Sequence, residues 1–92
     1  MLNYEWDPAK SEANYRKHGV RFSEALTVFG DDGAVTIRDS NPDEERYVII
    51  GFDSSARLLV VAFTWRGKDI VRLISARKAT RTEAEIYAEE QG

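Results

Sequence analysis

The side chains in this chain best suited to chemistry are arginines, joined by a single histidine. Arg66 sits at a glycine turn, and Arg77 follows the apolar run that ends at Ala76. Arg72 alternates with Val71 and Leu73, while Arg46 opens an earlier apolar run. A guanidinium presents a planar fork of donors that matches phosphate in a way a lysine point charge does not. Residues 65–81 set six cations (Arg66, Lys68, Arg72, Arg77, Lys78 and Arg81) against Asp69, giving +5 in a chain whose formal net charge is −3. Cations gathered beside an apolar hairpin fit the holding of an anion. The same positions also suit solvated strand ends that discourage edge-to-edge pairing. For Arg72, inside a run, the choice is between solvent and a partner.

Lys10, Asn14, Lys17 and His18 fall on one side of a helix, at spacings of four, three and one. Histidine is the side-chain type that ordinarily titrates near neutral pH, so His18 is the default proton donor or acceptor. The competing reading is structural: Lys17 and His18 lie in a last helical turn, where cations complement the helix dipole. Trp65, beside Arg66, suits either stacking on a nucleobase or packing, whereas Trp6 just ahead of a helix start reads as packing. Glu44 and Glu45 read as solvated turn residues, and Arg46 either pairs with them or joins the cationic cluster.

What is missing narrows the chemistry. There is no cysteine, which excludes thiolate catalysis and zinc–thiolate sites, and one histidine argues against a transition-metal cage. No nucleophile elbow, phosphate-binding glycine loop or metal-ligand spacing occurs. An enzyme built on this chain is expected to use acid–base and cationic chemistry with no metal and no cofactor. The N-terminus has neither the basic start nor the apolar stretch of a signal peptide, and no apolar run is long enough to span a bilayer. The expectation is a cytoplasmic protein without membrane partners. Net negative charge weighs against generic nucleic-acid binding, which phosphate contacts dominate. Its distribution softens that, because residues 9–21 are basic, 22–56 acidic, 65–81 basic and the last eleven acidic.

The elements that must position these groups follow from local signals. Asp7-Pro8 starts a helix, and Gly19 ends it after His18. A second short helix runs from Ser23 through Phe29 until the glycines at 30 and 33 break it. Four strands are predicted at Ala34–Asp39, Arg46–Phe52, Leu58–Trp65 and Asp69–Ala76, with a turn at Asn41-Pro42-Asp43. Short connections favour antiparallel neighbours. Thr80 and Glu83 form a capping box for a last helix with Ala84, Tyr87 and Ala88 as its inward stripe. The result is one domain over residues 1–92 of the α+β class, with two N-terminal helices, a four-stranded antiparallel sheet and a C-terminal helix.

Several segments together resemble the BrnT family of bacterial type II toxins. They are Trp6-Asp7-x-x-Lys10-x-x-x-Asn14-x-x-Lys17-His18-Gly19-Val20-x-Phe22-x-x-Ala25, then Glu45-Arg46 with Ile50-Gly51, Thr64-x-Arg66, and Ile74-Ser75-Ala76-Arg77-Lys78-Ala79 with Glu83 and Tyr87 behind. The match spans nearly the whole chain in order. The resemblance implies a RelE-like fold and a ribonuclease that arrests translation until a BrnA antitoxin neutralises it. It also implies that DNA is met only through the antitoxin. RNA cleavage by attack of the 2′-hydroxyl needs a base, positive charge on the phosphate and an acid at the leaving oxygen. Arg66 and Arg77 are the expected phosphate ligands, His18 the base or acid, and Lys17, Arg46, Arg72 and Trp65 the substrate contacts. The alternative is a non-catalytic module whose cationic groove receives an acidic segment of a partner. Convergence of Arg66, Arg77 and a third basic or titratable group in one concave patch would favour the enzyme, and scattered positions would leave the interaction reading.

Overall fold

Local chemistry sets the boundaries of the first helix as expected. In the computed structural model, which describes residues 2–39 and 45–92, Asp7 caps helix α1 (Pro8–His18) by accepting a hydrogen bond from the Ala9 amide. Gly19 closes it at φ 72°, its amide donating to the Tyr15 carbonyl. That left-handed backbone is where a side chain would cost energy, so glycine ends the helix. The second helix is shorter than predicted: α2 covers only Phe22–Ala25, and Leu26–Gly30 continues as a tighter 3₁₀ turn. The expected turn at Asn41-Pro42-Asp43, with Glu44, lies outside the described residues.

The sheet has five strands where four were expected. A short N-terminal strand, β1 (Asn3–Glu5), joins β2 (Val35–Asp39), β3 (Arg46–Phe52), β4 (Leu58–Arg66) and β5 (Ile70–Lys78) in the order β1-β5-β4-β3-β2. β1 runs parallel to β5, with Glu5 opposite Arg72, while every other pairing is antiparallel. Three residues leave too short a pattern to read as a strand, and β1 exists only through a partner distant in the chain. β5 also runs further than predicted, so Arg77 lies within the strand and not beyond it.

One sheet face carries the main core. Val20, Phe22, Ala25 and Val28 pack with Ile49, Leu59, Val61, Phe63, Val71, Leu73 and Ala76. Asn14 rivets α1 to β5 from inside this layer. Its Nδ2 donates to the carbonyls of Val20 and Ala76 at 2.9 and 2.8 Å, and its Oδ1 accepts from the Ala76 amide at 3.0 Å. A buried amide must be satisfied in this way or it destabilises the fold.

The last helix, α3 (Arg81–Gln91), crosses one end of the other face and buries none of its residues fully. It is held by polar fasteners: Glu83 on Arg77 of β5, the Tyr87 hydroxyl on Asp31, and the Gln91 amide on the Gly33 carbonyl just before β2. Tyr87 meets Phe52 of β3 edge-on at 5.2 Å. Of its predicted inward stripe, Ala84 and Tyr87 are half-buried and Ala88 is exposed. Ile50 and Val60, buried but outside the main core cluster, lie at this end of the sheet.

Candidate functional site

Strand register decides which side chains can act together, because alternate residues face opposite sides and cross-strand partners share a side. Leu59, Val61 and Phe63 of β4 face the α1–α2 layer, so Val60, Ala62, Thr64 and Arg66 face the other way. Their partners extend three rows across that second face. Val35, Ile50, Val60 and Arg77 form the row at the end that α3 crosses, and Ile37, Val48, Ala62 and Ser75 form the next. The third holds Asp39, Arg46, Thr64, Arg72 and Glu5. Arg46 falls beside Thr64 one step beyond the Tyr47–Phe63 pair, and the Thr64 hydroxyl donates to the Glu45 carbonyl at 2.7 Å. Arg66, opposite Ile70, lies one row further.

Three guanidiniums therefore gather on the open half of this face. Arg46 and Arg72 flank Thr64 on neighbouring strands, about 10 Å apart at their backbones, and Arg66 is about 7 Å along β4 from Thr64. The floor between them is small or apolar, from Thr64 to Ala62, Val48 and the exposed Ile37. The Arg66 side chain makes no ion pair or hydrogen bond with another described residue. Arg72 Nη1 donates to Glu5 Oε2 at 2.6 Å, and each of these side chains keeps about a third of its surface exposed.

A β-bulge is what puts Arg72 and Arg77 on one face. Five residues apart, they would point to opposite sides of a regular strand. Ala62 pairs with Ser75 but Phe63 pairs with Leu73, so Ile74 is the extra residue that restores the phase.

The expected pair of Arg66 and Arg77 does not converge. From Val60, the partner of Arg77, to Arg66 runs most of β4, a separation of about 20 Å. Arg77 is also engaged. Its two terminal nitrogens grip both oxygens of Glu83 at 2.7 Å, and Glu83 Oε1 in turn accepts from the Thr80 amide that begins α3. The Arg77 hydrogen bond holds the Glu83 carboxyl down at about 2, and Glu83 in return raises Arg77 above its ordinary value. Arg77 is a fastener for α3.

His18 does not join the arginines either. It ends α1, which packs on the opposite face through Asn14, and Lys17 lies exposed beside it. Trp65 sits at the open end next to Arg66 but with the phase of the core face, packing edge-on against Phe63 with 40% of its surface exposed. Trp6 packs against Phe22, as its position before the helix suggested.

Sequence reasoning missed two carboxylate assemblies and one carboxylate of the site. Asp53 is buried. Burial pushes its carboxyl up, but the amides of Arg57 and Ser55 and the Arg57 guanidinium outweigh that and hold it below the usual range. Asp31 is lowered chiefly by the Phe52 amide, with Gly33 and Tyr87 adding to it. Both line a hollow with Thr27, Gly30, Phe52 and Ser54, and their oxygens are already satisfied by the protein. That acidic hollow is unsuited to phosphate. The missed member of the arginine site is Glu5, whose only signal was an acid next to Trp6. Among the described residues no three His, Cys, Asp or Glu side chains gather as a metal site, and no helix is long and apolar enough to cross a membrane.

Comparison with known proteins gives one family and one fold. The family model described as "Ribonuclease toxin, BrnT, of type II toxin-antitoxin system" matches residues 6–83. The crystal structure of the Brucella abortus ribonuclease toxin BrnT is similar with a TM-score of 0.70 at 24% identity, over 88% of this chain and 100% of that one. No curated protein matches at a significant level. That similarity places this α+β fold, with its N-terminal helices, mostly antiparallel sheet and C-terminal helix, beside the solved structure.

Proposed function

The chain belongs to the BrnT family, the ribonuclease toxins of type II toxin–antitoxin systems, and from that premise we propose that it cleaves RNA on the open half of its second sheet face, with Arg46, Arg66 and Arg72 as the phosphate-binding groups. RNA as substrate and a cognate antitoxin as partner follow from the family. The observation behind the choice of site is the gathering of three guanidiniums around Thr64 on a face that α3 leaves uncovered.

Cleavage by the 2′-hydroxyl builds negative charge on the non-bridging oxygens of a crowded phosphorus. Preorganised donors aimed at that charge stabilise the transition state more than the ground state. Arg66 offers a fork that no other described residue engages, and Arg72 retains donors beyond the nitrogen bound to Glu5. The reaction is read as metal-independent, because these groups supply positive charge directly. Trp65, exposed beside Arg66, is placed to stack on a base of a strand crossing the rim. Arg77, with both arms on Glu83, is assigned to holding α3, and His18 to the end of α1.

In the cell the expected consequence is cytoplasmic RNA cleavage that lowers translation, reversed by a BrnA-like antitoxin that also carries any DNA binding. The test is expression of the protein alone and with its antitoxin, beside Arg46→Ala, Arg66→Ala and Arg72→Ala variants at equal soluble level. Growth arrest that the antitoxin relieves and the three substitutions weaken is the expected result. Full toxicity in all three variants would move the site elsewhere.

A further inference from the structure

We propose that Glu5 is the general base of the cleavage reaction, taking the proton from the attacking 2′-hydroxyl; this rests on the arginine face being the site. Two described carboxylates lie in the row of Arg46, Thr64 and Arg72, Glu5 at one margin and Asp39 at the other, and they differ in how they are held. Glu5 Oε2 is fixed at 2.6 Å from Arg72 Nη1, while its other oxygen makes no hydrogen bond to a described residue. One oxygen is anchored to the group that would hold the phosphate, and the other is open on a side chain about a third exposed. The Asp39 carboxylate makes no such anchoring bond to a described residue. The satisfied carboxylates elsewhere provide the contrast. Glu83 has both oxygens on Arg77, and Asp31 and Asp53 have both on amides, a hydroxyl or a guanidinium.

A base must reach its proton within hydrogen-bonding distance in a plausible pose. A phosphate on the remaining donors of Arg72 brings its adjacent 2′-hydroxyl next to the open Glu5 oxygen. Glu5 takes the hydroxyl proton as the 2′-oxygen bonds to phosphorus. The bond from phosphorus to the 5′-oxygen breaks, and that oxygen takes a proton from water. The hydroxide so formed is neutralised by the proton Glu5 releases. The products are a 2′,3′-cyclic phosphate and a 5′-hydroxyl, with no net change in protons.

The experiment compares wild type, Glu5→Gln, Glu5→Asp and Arg72→Ala on an RNA oligonucleotide containing the mapped cleavage site, after thermal melts show each variant folded. Glu5→Gln should lower kcat at least about 100-fold, in the range of a lost general base, with KM changed by no more than about threefold. Glu5→Asp keeps the charge but withdraws it, and should fall between the two. Should the glutamine variant fail to fold, the aspartate variant carries the same test, with a fall in kcat expected and wild-type kcat overturning the proposal. Replacing the leaving 5′-oxygen by sulfur removes the need for an acid, so it should not rescue Glu5→Gln. Rescue would overturn the assignment by placing Glu5 at the leaving group. Unchanged kcat in Glu5→Gln with Arg72→Ala inactive would overturn the base and leave the site standing. Full activity in both would overturn the site and Glu5 with it.

Discussion

The two ends of the second sheet face use the same residue types for opposite purposes. At the covered end Arg77 is closed on both oxygens of Glu83, Tyr87 is closed on Asp31, and α3 lies across them. At the open end Arg66 has no polar side-chain partner among the described residues, and Arg72 has given one nitrogen to one oxygen of Glu5. A guanidinium whose donors are spent on its own protein can fasten a helix but has little left for a substrate. One that keeps donors can take a phosphate. What separates Arg66 and Arg72 from Arg77 is the share of each fork left unspent on other described residues, since both ends hold arginine and glutamate.

That contrast breaks first, and most visibly, in catalysis. Arg66→Ala and Arg72→Ala should each lower the cleavage rate by about 100- to 1000-fold, the scale of one lost transition-state donor, with thermal melts close to wild type. Lysine at either position should restore little, because a point charge does not replace a fork. Gel-based cleavage rates beside melts check both statements.

The covered end should respond in stability. Glu83 has a folded pKa of about 2 against an ordinary 4.5. A carboxyl lowered on folding contributes stability that is complete above the ordinary value and is lost as pH falls toward the folded one. Because the Arg77 side chain is 40% exposed, the full shift overstates the pair, and about 1–2 kcal/mol is the reasonable scale. Glu83→Gln should therefore lower the melting temperature by roughly 5–15 °C at pH 7. The deficit against wild type should shrink as pH is lowered from 4.5 toward 2, as pH-dependent melts can show.

Two smaller effects sharpen the comparison. His18→Gln should leave cleavage unchanged and cost at most about 1 kcal/mol, the value of a cation at a helix end. In the turn between β3 and β4, Ala56 holds φ 63°. Ala56→Gly should raise stability by up to about 1 kcal/mol, since only glycine takes that backbone freely. Denaturant midpoints resolve both.

The sequence made the locally encoded parts legible. Asp7, Pro8 and Gly19 bound α1, and Thr80 with Glu83 starts α3, because capping is settled within a few residues. The same Glu83 shows where legibility ended. Its capping role was readable from spacing, but its hold on Arg77 depends on how the chain turns between β5 and α3. β1 was hidden because its pairing with β5 spans most of the chain. Ile74 hid more, since a bulge reverses the alternation that would otherwise assign arginines to faces. Arginine clustering is visible as charge density. Which arginines share a patch is not, because the expected phosphate pair of Arg66 and Arg77, with Arg46 or Arg72 assisting, draws on both ends of the face.

The central claim is that the open arginines serve the substrate and the closed one serves the fold. It is tested most directly by measuring RNA cleavage by Arg66→Ala and Arg77→Ala at a temperature where melts show both fully folded. The account predicts that Arg66→Ala loses about two orders of magnitude or more in rate while Arg77→Ala cleaves at close to the wild-type rate and melts lower. A fully folded Arg77→Ala that cannot cleave, beside an active Arg66→Ala, would contradict it.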